Sequence, residues 1–299
     1  MSRPAATPVS GTMPADIAAK IRAIGPVIDP PATAAIYAPL HPHEPHAGVR
    51  IARDVKYGLD ARHTLDVFAP DGAGGARPVF IFIHGGGYTG GHKREINNFF
   101  YDNIMLWAAH HGIVGVNATY RLAPAHAWPA GAEDVGAAVH WTIGNIAKYG
   151  GDPTRIFLAG HSAGATHVAT YAVQPQFHAA GGASLAGLIL LSGNYDLSKA
   201  KVDDRYASYF GGDQLKYAER SPFAGLLKTP VPLMAAHGEL EPPFLYQQSE
   251  ALIAALADAG REVHAIRLPG HSHISITYSI NTGDTQLTDA MLDFIQKNR

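Results

Sequence analysis

The residues with the clearest capacity for chemistry are Gly160-His161-Ser162-Ala163-Gly164, which follow the apolar run Arg155–Ala159 and precede an alanine-rich segment. Small residues two positions either side of a serine suit a sharp strand-to-helix turn that exposes its hydroxyl. The helix N-terminus that follows favours a developing negative charge. Such a serine is suited to attack on an acyl carbon. The G-x-S-x-G match is weakly specific alone, and the strand before it and helix after it make it informative. A second motif, His84-Gly85-Gly86-Gly87-Tyr88, comes straight off the apolar run Val79–Ile83. Acyl transfer needs backbone N–H groups aimed at the oxyanion, and glycine lets the main chain approach that closely. A phosphate-binding loop competes with this reading, but neither G-K-[ST] nor a helix-opening G-x-G-x-x-G is present. The N–H of Ala163, directly after the serine, would complete the oxyanion hole.

A nucleophilic serine also needs a base and a group that orients it, in the chain order Ser, Asp/Glu, His for this arrangement. Past the apolar run Val231–Ala236 come His237-Gly238-Glu239-Leu240-Glu241-Pro242, where two glutamates compete. Glu241 lies further into the loop and is favoured over Glu239. His237 precedes its acid and reads as structural. After the next strand candidate, Val263–Leu268, the chain reads Pro269-Gly270-His271-Ser272-His273-Ile274. His271 and His273 both qualify as base, and His273 is favoured because it opens the segment leading to the next apolar stretch.

The elements that must position these groups are legible as apolar runs of two periods. Val49–Tyr57 and His63–Ala69 read as an antiparallel pair. Val79–His84, Ile113–Ala118, Arg155–Ala159, Leu185–Leu191, Val231–Ala236 and Val263–Leu268 read as further strands. Helical patterns fall near Pro14–Ile24, Ile96–His110, Ala132–Lys148, Ala163–Ala172, Gln247–Ala259 and Thr288–Lys297. Strands alternating with helices predict an α/β fold, a mostly parallel sheet covered on both faces. We expect one domain over 1–299, with 1–47 as an N-terminal cap segment and 48–299 as the core. A later insertion near 197–228 is a second cap candidate.

Composition excludes several classes. With no cysteine in 299 residues, disulfides, thiolate catalysis and Cys-ligated metals are ruled out. A net charge of -2 and 16% charged residues offer no basic block, so no nucleic-acid partner is expected. No apolar run is long enough to span a bilayer and no signal-type segment opens the chain, so the expectation is a soluble, cytoplasmic protein. His41-Pro42-His43-Glu44-Pro45-His46 invites a metal reading, but its two prolines forbid a shared helix face, and no metal or other cofactor is expected.

Further residues carry a resemblance. Asn117-Ala118-Thr119-Tyr120-Arg121-Leu122-Ala123-Pro124, then Trp128-Pro129-Ala130 and Glu133-Asp134, and Gly151-Asp152-Pro153-Thr154-Arg155-Ile156 resemble the hormone-sensitive-lipase-like esterases over residues 48–299. The resemblance implies the α/β-hydrolase fold, with Ser162 as nucleophile, His273 as base and Glu241 where that family more often has Asp. It implies Gly86, Gly87 and Ala163 as oxyanion donors, with Gly85 shaping the turn and Arg121 and Asp134 structural. Two features depart from it. His161 stands where many such esterases carry Asp, and Gly90-Gly91-His92-Lys93 with Gly270-His271-Ser272-His273 look closer to the feruloyl-esterase-like and aryl-formamidase-like branch. The expected function is hydrolysis of small short-acyl or aromatic esters. An amidase with the same triad, acyl transfer to an alcohol, and a non-catalytic receptor on the same fold are the alternatives. Tyr88, Trp128, Tyr195, Phe210, Phe244 and Tyr246 are expected near the site, with Tyr88, Tyr195, Phe244 and His161 as substrate contacts. Edge-strand pairing into a homodimer is compatible with this architecture.

Overall fold

The computed structural model of the chain describes residues 11–43, 45–72, 75–95, 99–178 and 182–298. Two helices come first, α1 (Ala15–Ile24) and α2 (Pro30–Tyr37). Strands β1 (Val49–Lys56), β2 (Thr64–Pro70) and β3 (Arg77–Ile83) follow, then α3 (Asp102–His110), β4 (Val114–Ala118), α4 (Ala130–Asn145), β5 (Gly151–His161) and α5 (Ala163–Val173). After β6 (Gly187–Leu191) come the short helices α6 (Asp204–Phe210), α7 (Tyr217–Arg220) and α8 (Phe223–Leu226). The chain ends with β7 (Leu233–Gly238), α9 (Pro243–Asp258), β8 (His264–Leu268), α10 (Ser275–Tyr278) and α11 (Gln286–Lys297).

The strands form one sheet in the order β1-β2-β4-β3-β5-β6-β7-β8. β1, β2 and β4 pair antiparallel, as expected of the first two, and β3 to β8 run parallel. β3 is apolar from Pro78 to Ile83 because both its faces are covered there. Its side chains alternate between two cores. Phe80 and Phe82 join Met105 and Trp107 of α3, Phe294 of α11 and Ile17 and Ile21 of α1. Val79, Ile81 and Ile83 join Val139 of α4, Val168 of α5 and Leu252 of α9. α11 buries Leu287, Met291, Phe294 and Ile295, spaced i, i+4, i+7 and i+8 on one stripe.

The strands lie within a few residues of the expected positions; β5 is longer at both ends. The helix expected from Ile96 begins at Asp102, and Ile96–Asn98 lie outside the described residues. α2 was not anticipated. Its opening prolines read as a break, yet proline is favoured in a first helical turn, and Asp29 caps it by accepting Ala32 N–H at 2.9 Å. In the histidine-rich segment Glu44 lies outside the described residues, and buried His41 donates from Nε2 to the Tyr278 carbonyl at 2.8 Å.

Candidate functional site

Ligand sites of open parallel sheets form beyond the carboxyl ends of the strands. β3 runs there into His84-Gly85-Gly86-Gly87, β5 into Ser162, β6 into Ser192, β7 into Glu241 and β8 into His273.

Ser162 stands between β5 and α5 with φ 56° and ψ −123°, a conformation strained for a residue with a Cβ. Its N–H donates to the Leu191 carbonyl at 2.9 Å. Two glycines make the turn possible. A Cβ on Gly164 would lie 2.2 Å from the Ile83 carbonyl oxygen, and one on Gly160 would lie 2.5 Å from the Gly164 carbonyl. Across from the serine, a Cβ on Gly85 would lie 3.0 Å from the Ser162 Cβ, so the glycine loop comes against the nucleophile turn. Gly86, with φ 127°, accepts Gly90 N–H at 3.0 Å and closes a tight loop. Arg62, which the sequence did not mark, donates from Nη2 to the Gly91 carbonyl at 2.8 Å and from Nε to the Tyr120 carbonyl at 2.6 Å. Buried Lys93, just beyond, pairs with Asp66 at 3.2 Å and so ties the same loop to β2.

Glu241 and His273 are both buried, with His273 Nδ1 3.6 Å from Glu241 Oε2. That is an ion-pair distance, longer than a hydrogen bond, and such contacts are often long in free enzymes and tighten with substrate. The other carboxylate oxygen accepts Gly238 N–H at 2.9 Å and the Ser192 hydroxyl. Burial works against the charge on Glu241, but His273, the Ser192 hydroxyl and Gly238 N–H together outweigh it and hold the carboxyl below its ordinary range. Ser192, itself at φ 55°, is a residue the sequence reading missed, because no motif marks a serine at the end of a buried strand.

The competing residues are placed elsewhere. Glu239 is exposed and accepts Gly270 N–H at 2.8 Å. His271 is held between Asp284 at 2.9 Å and the Ser275 hydroxyl at 3.1 Å. His237 meets Glu250 at 3.0 Å. Arg121 and Asp134 pair at 2.7 Å, with His63 Nε2 2.9 Å from the same carboxylate, and neither lines the cavity.

A cavity of about 520 Å³ opens over this edge. Gly85, Gly86, Gly87, Ser162, Ala163, His161 and His273 line its sheet side, and Tyr88 and Phe244 also line it. Ile28 from the α1–α2 connection and Pro30 at the start of α2 reach it, and Lys201, Arg205 and Tyr206 reach it from the 197–228 segment. Tyr101 and Tyr278 are further wall residues that the sequence did not mark. Tyr195 corrects the expectation. Its ring is fully buried in the core away from the cavity lining, and its hydroxyl accepts Gly193 N–H at 3.0 Å. Trp128, Phe210 and Tyr246 also lie off the lining. Phe210 packs with Tyr88, Tyr206 and Tyr209 behind the wall, and Arg220 covers Trp128.

The chain is similar to several known proteins. Esterase LipQ of Mycobacterium tuberculosis is 31% identical over 282 residues, covering 85% of this chain and 65% of that protein. Esterase LipC of the same organism is 27% identical over 242 residues, covering 74% of this chain and 59% of its own length. The chain therefore spans about three fifths of the length of these relatives. Among solved structures, esterase B from Lactobacillus rhamnosis inhibited by a tributyrin phosphonate superposes with a TM-score of 0.72 at 20% identity, covering 95% of this chain and 97% of that one. A bacterial heroin esterase gives 0.71 at 22% identity, covering 95% and 98%. At these identities the superpositions establish the α/β-hydrolase fold. The BD-FAE family model matches residues 65–256, more than half of the chain and including the glycine loop, the Ser162 turn and Glu241, so the chain belongs to the BD-FAE family.

Proposed function

We propose that the protein is a serine carboxylesterase that hydrolyses small esters through an acyl-enzyme on Ser162. The observation that carries this reading is the convergence of Ser162, His273 and the glycine loop on one cavity, with buried Glu241 facing His273. The names of its relatives, Esterase LipQ, Esterase LipC and Carboxylesterase NlhH of Mycobacterium tuberculosis, point the same way.

In the first step a bond forms between Ser162 Oγ and the ester carbonyl carbon while the Oγ proton passes to His273. Glu241, held by Ser192 and Gly238, keeps the imidazole tautomer that accepts this proton and steadies the imidazolium. The N–H groups of Gly86, Gly87 and Ala163 take the oxyanion, each donor contributing about 3–4 kcal/mol to the transition state. The bond to the leaving alcohol then breaks, and His273 returns the proton to that oxygen. Water attacks the acyl-enzyme by the same route and frees Ser162. Side chains and backbone amides suffice for every step. A cavity of about 520 Å³, walled by Tyr88, Phe244 and Tyr278, suits a short acyl chain or one aromatic ring. The cysteine-free composition is compatible with work in a reducing cytoplasm.

The test is turnover of a p-nitrophenyl ester series from acetyl to long acyl, with Ser162→Ala in parallel. Rapid turnover of short esters that disappears in the variant is expected. Activity that survives Ser162→Ala would remove the assignment. Hydrolysis of anilides in preference to matched esters would move the reading to an amidase.

A further inference from the structure

We propose that His161 is a positioning residue for the base: its Nε2–H donates to the main-chain carbonyl of His273 and holds the loop that carries the imidazole. The inference rests on the esterase reading and assigns to the residue before the nucleophile a task other than contact with substrate.

The His161 Nε2 to His273 O distance is 2.8 Å, a full-strength hydrogen bond, and both residues are buried. Among the described residues no other hydrogen bond reaches the His273 main chain. The two rings lie 4.6 Å apart at 37°, in side-by-side contact. The contact to Glu241, at 3.6 Å, is too long to fix the imidazole alone, so the 2.8 Å anchor has more authority over where the base sits.

A carbonyl oxygen only accepts, which requires the proton of His161 on Nε2 and leaves Nδ1 as a bare acceptor. Nδ1 is buried with no hydrogen-bond partner, on the side where a Gly85 Cβ would lie 3.3 Å away. A second proton there would be a buried charge with nothing to receive it. Burial first, and then the neighbouring His273, hold His161 well below its ordinary range, and the bond to the His273 carbonyl does not offset them. His161 therefore stays neutral beside the imidazolium that forms on His273 and does not compete for the serine proton. A carboxylate at position 161 would set acceptor against acceptor at the His273 carbonyl. Here the donor of an imidazole is what this loop requires.

Three variants separate a positioning role from simple packing. His161→Gln keeps an N–H donor at nearly the reach of Nε2, His161→Asn has the same amide one methylene short, and His161→Leu fills the space without a donor. Each is assayed for kcat and KM on the best short ester, and for thermal midpoint. The expected result is kcat down at least ten-fold in the Asn and Leu variants with KM within two-fold of the parent, and His161→Gln within about three-fold of the parent. Asn or Leu variants as active as the Gln variant overturn the proposal. So does a folded Gln variant as impaired as Asn, or a loss that tracks the thermal midpoint alone. If Leu fails to fold, the Gln and Asn pair decides. Absence of turnover in the unaltered protein refutes the esterase reading itself, a result distinct from any difference among the variants.

Discussion

Acid should destabilise this protein well before its carboxylates are protonated, because of His84 and His167. His84 opens the glycine loop and stacks on Tyr120 with rings 4.5 Å apart, and His167 sits on α5 one turn beyond the nucleophile. Both are buried, and Nε2 of each lacks a hydrogen-bond partner, so a proton there would be an unpaired interior charge. Desolvation by burial lowers each from the ordinary 6.5 to about 3. The unfolded chain then binds a proton at each site below 6.5, while the folded chain resists protonation until about 3. The resulting stability is fully present above pH 6.5 and is lost as pH falls from there toward 3. Linkage gives about 2 kcal/mol per histidine between pH 7 and 5, and about 4 kcal/mol for the pair. That is a large part of an ordinary folding free energy of about 5–15 kcal/mol. Urea titrations at half-unit steps from pH 7.5 to 4 measure it. His167→Gln should lower the slope of folding free energy against pH by about 1.4 kcal/mol per unit between pH 6 and 4, whatever it does to stability at pH 7. A slope unchanged in that variant would show that His167 already carries a proton in the folded state, and would refute the argument.

Other outcomes follow from the same geometry. Glu241→Gln should lower kcat about 10³–10⁴-fold by losing hold of the imidazole tautomer, whereas Glu239→Gln, on an exposed side chain, should leave it within about two-fold; paired kinetics on one ester check this. Gly164→Ala would put a Cβ 2.2 Å from the Ile83 carbonyl and 2.5 Å from that of His84, costing about 3 kcal/mol or more and pushing the nucleophile turn from the glycine loop. Denaturant unfolding and kcat should both register it.

The strands were legible because β3, β4, β6, β7 and the second half of β5 are short apolar runs and β8 alternates, and each functional group sits where such a strand ends. Ser162 and the glycine loop could be read from local rules, since a tight turn restricts residue type. Glu241 against Glu239, and His273 against His271, are decided by tertiary packing. Gly270 turns back on Glu239 and Asp284 takes His271, contacts between residues 13 or more apart that no local pattern records. Tyr195 misled because proximity to a loop in sequence does not give the direction of a side chain; its hydroxyl serves the Gly193 amide instead. Ser192 and Arg62 escaped for the opposite reason. Ser192 acts through one hydrogen bond and Arg62 through two, all to residues that the motifs do name, and nothing in their own neighbourhoods marks them.

The contacts at the carboxyl edge close on themselves. Ser162 after β5 donates to Leu191 at the end of β6, the neighbouring Ser192 donates to Glu241 after β7, and Glu241 faces His273 after β8. His161 then links His273 back to β5. Four adjacent strands are thus joined in a ring of short-range contacts around one cavity. A strained serine, at φ 56°, persists in such a setting because relaxing its turn would also disturb the hydrogen bonds that its neighbours make. Strain at Ser162 and the placement of His273 are therefore parts of one packing problem, and both depend on the same five residues, Gly160 to Gly164, where β5 turns into α5. A substitution anywhere in that turn should alter the nucleophile and the base together, so losses from His161 and Gly164 variants should combine to less than their sum. Losses that add fully would mean that the two ends of the ring are set independently.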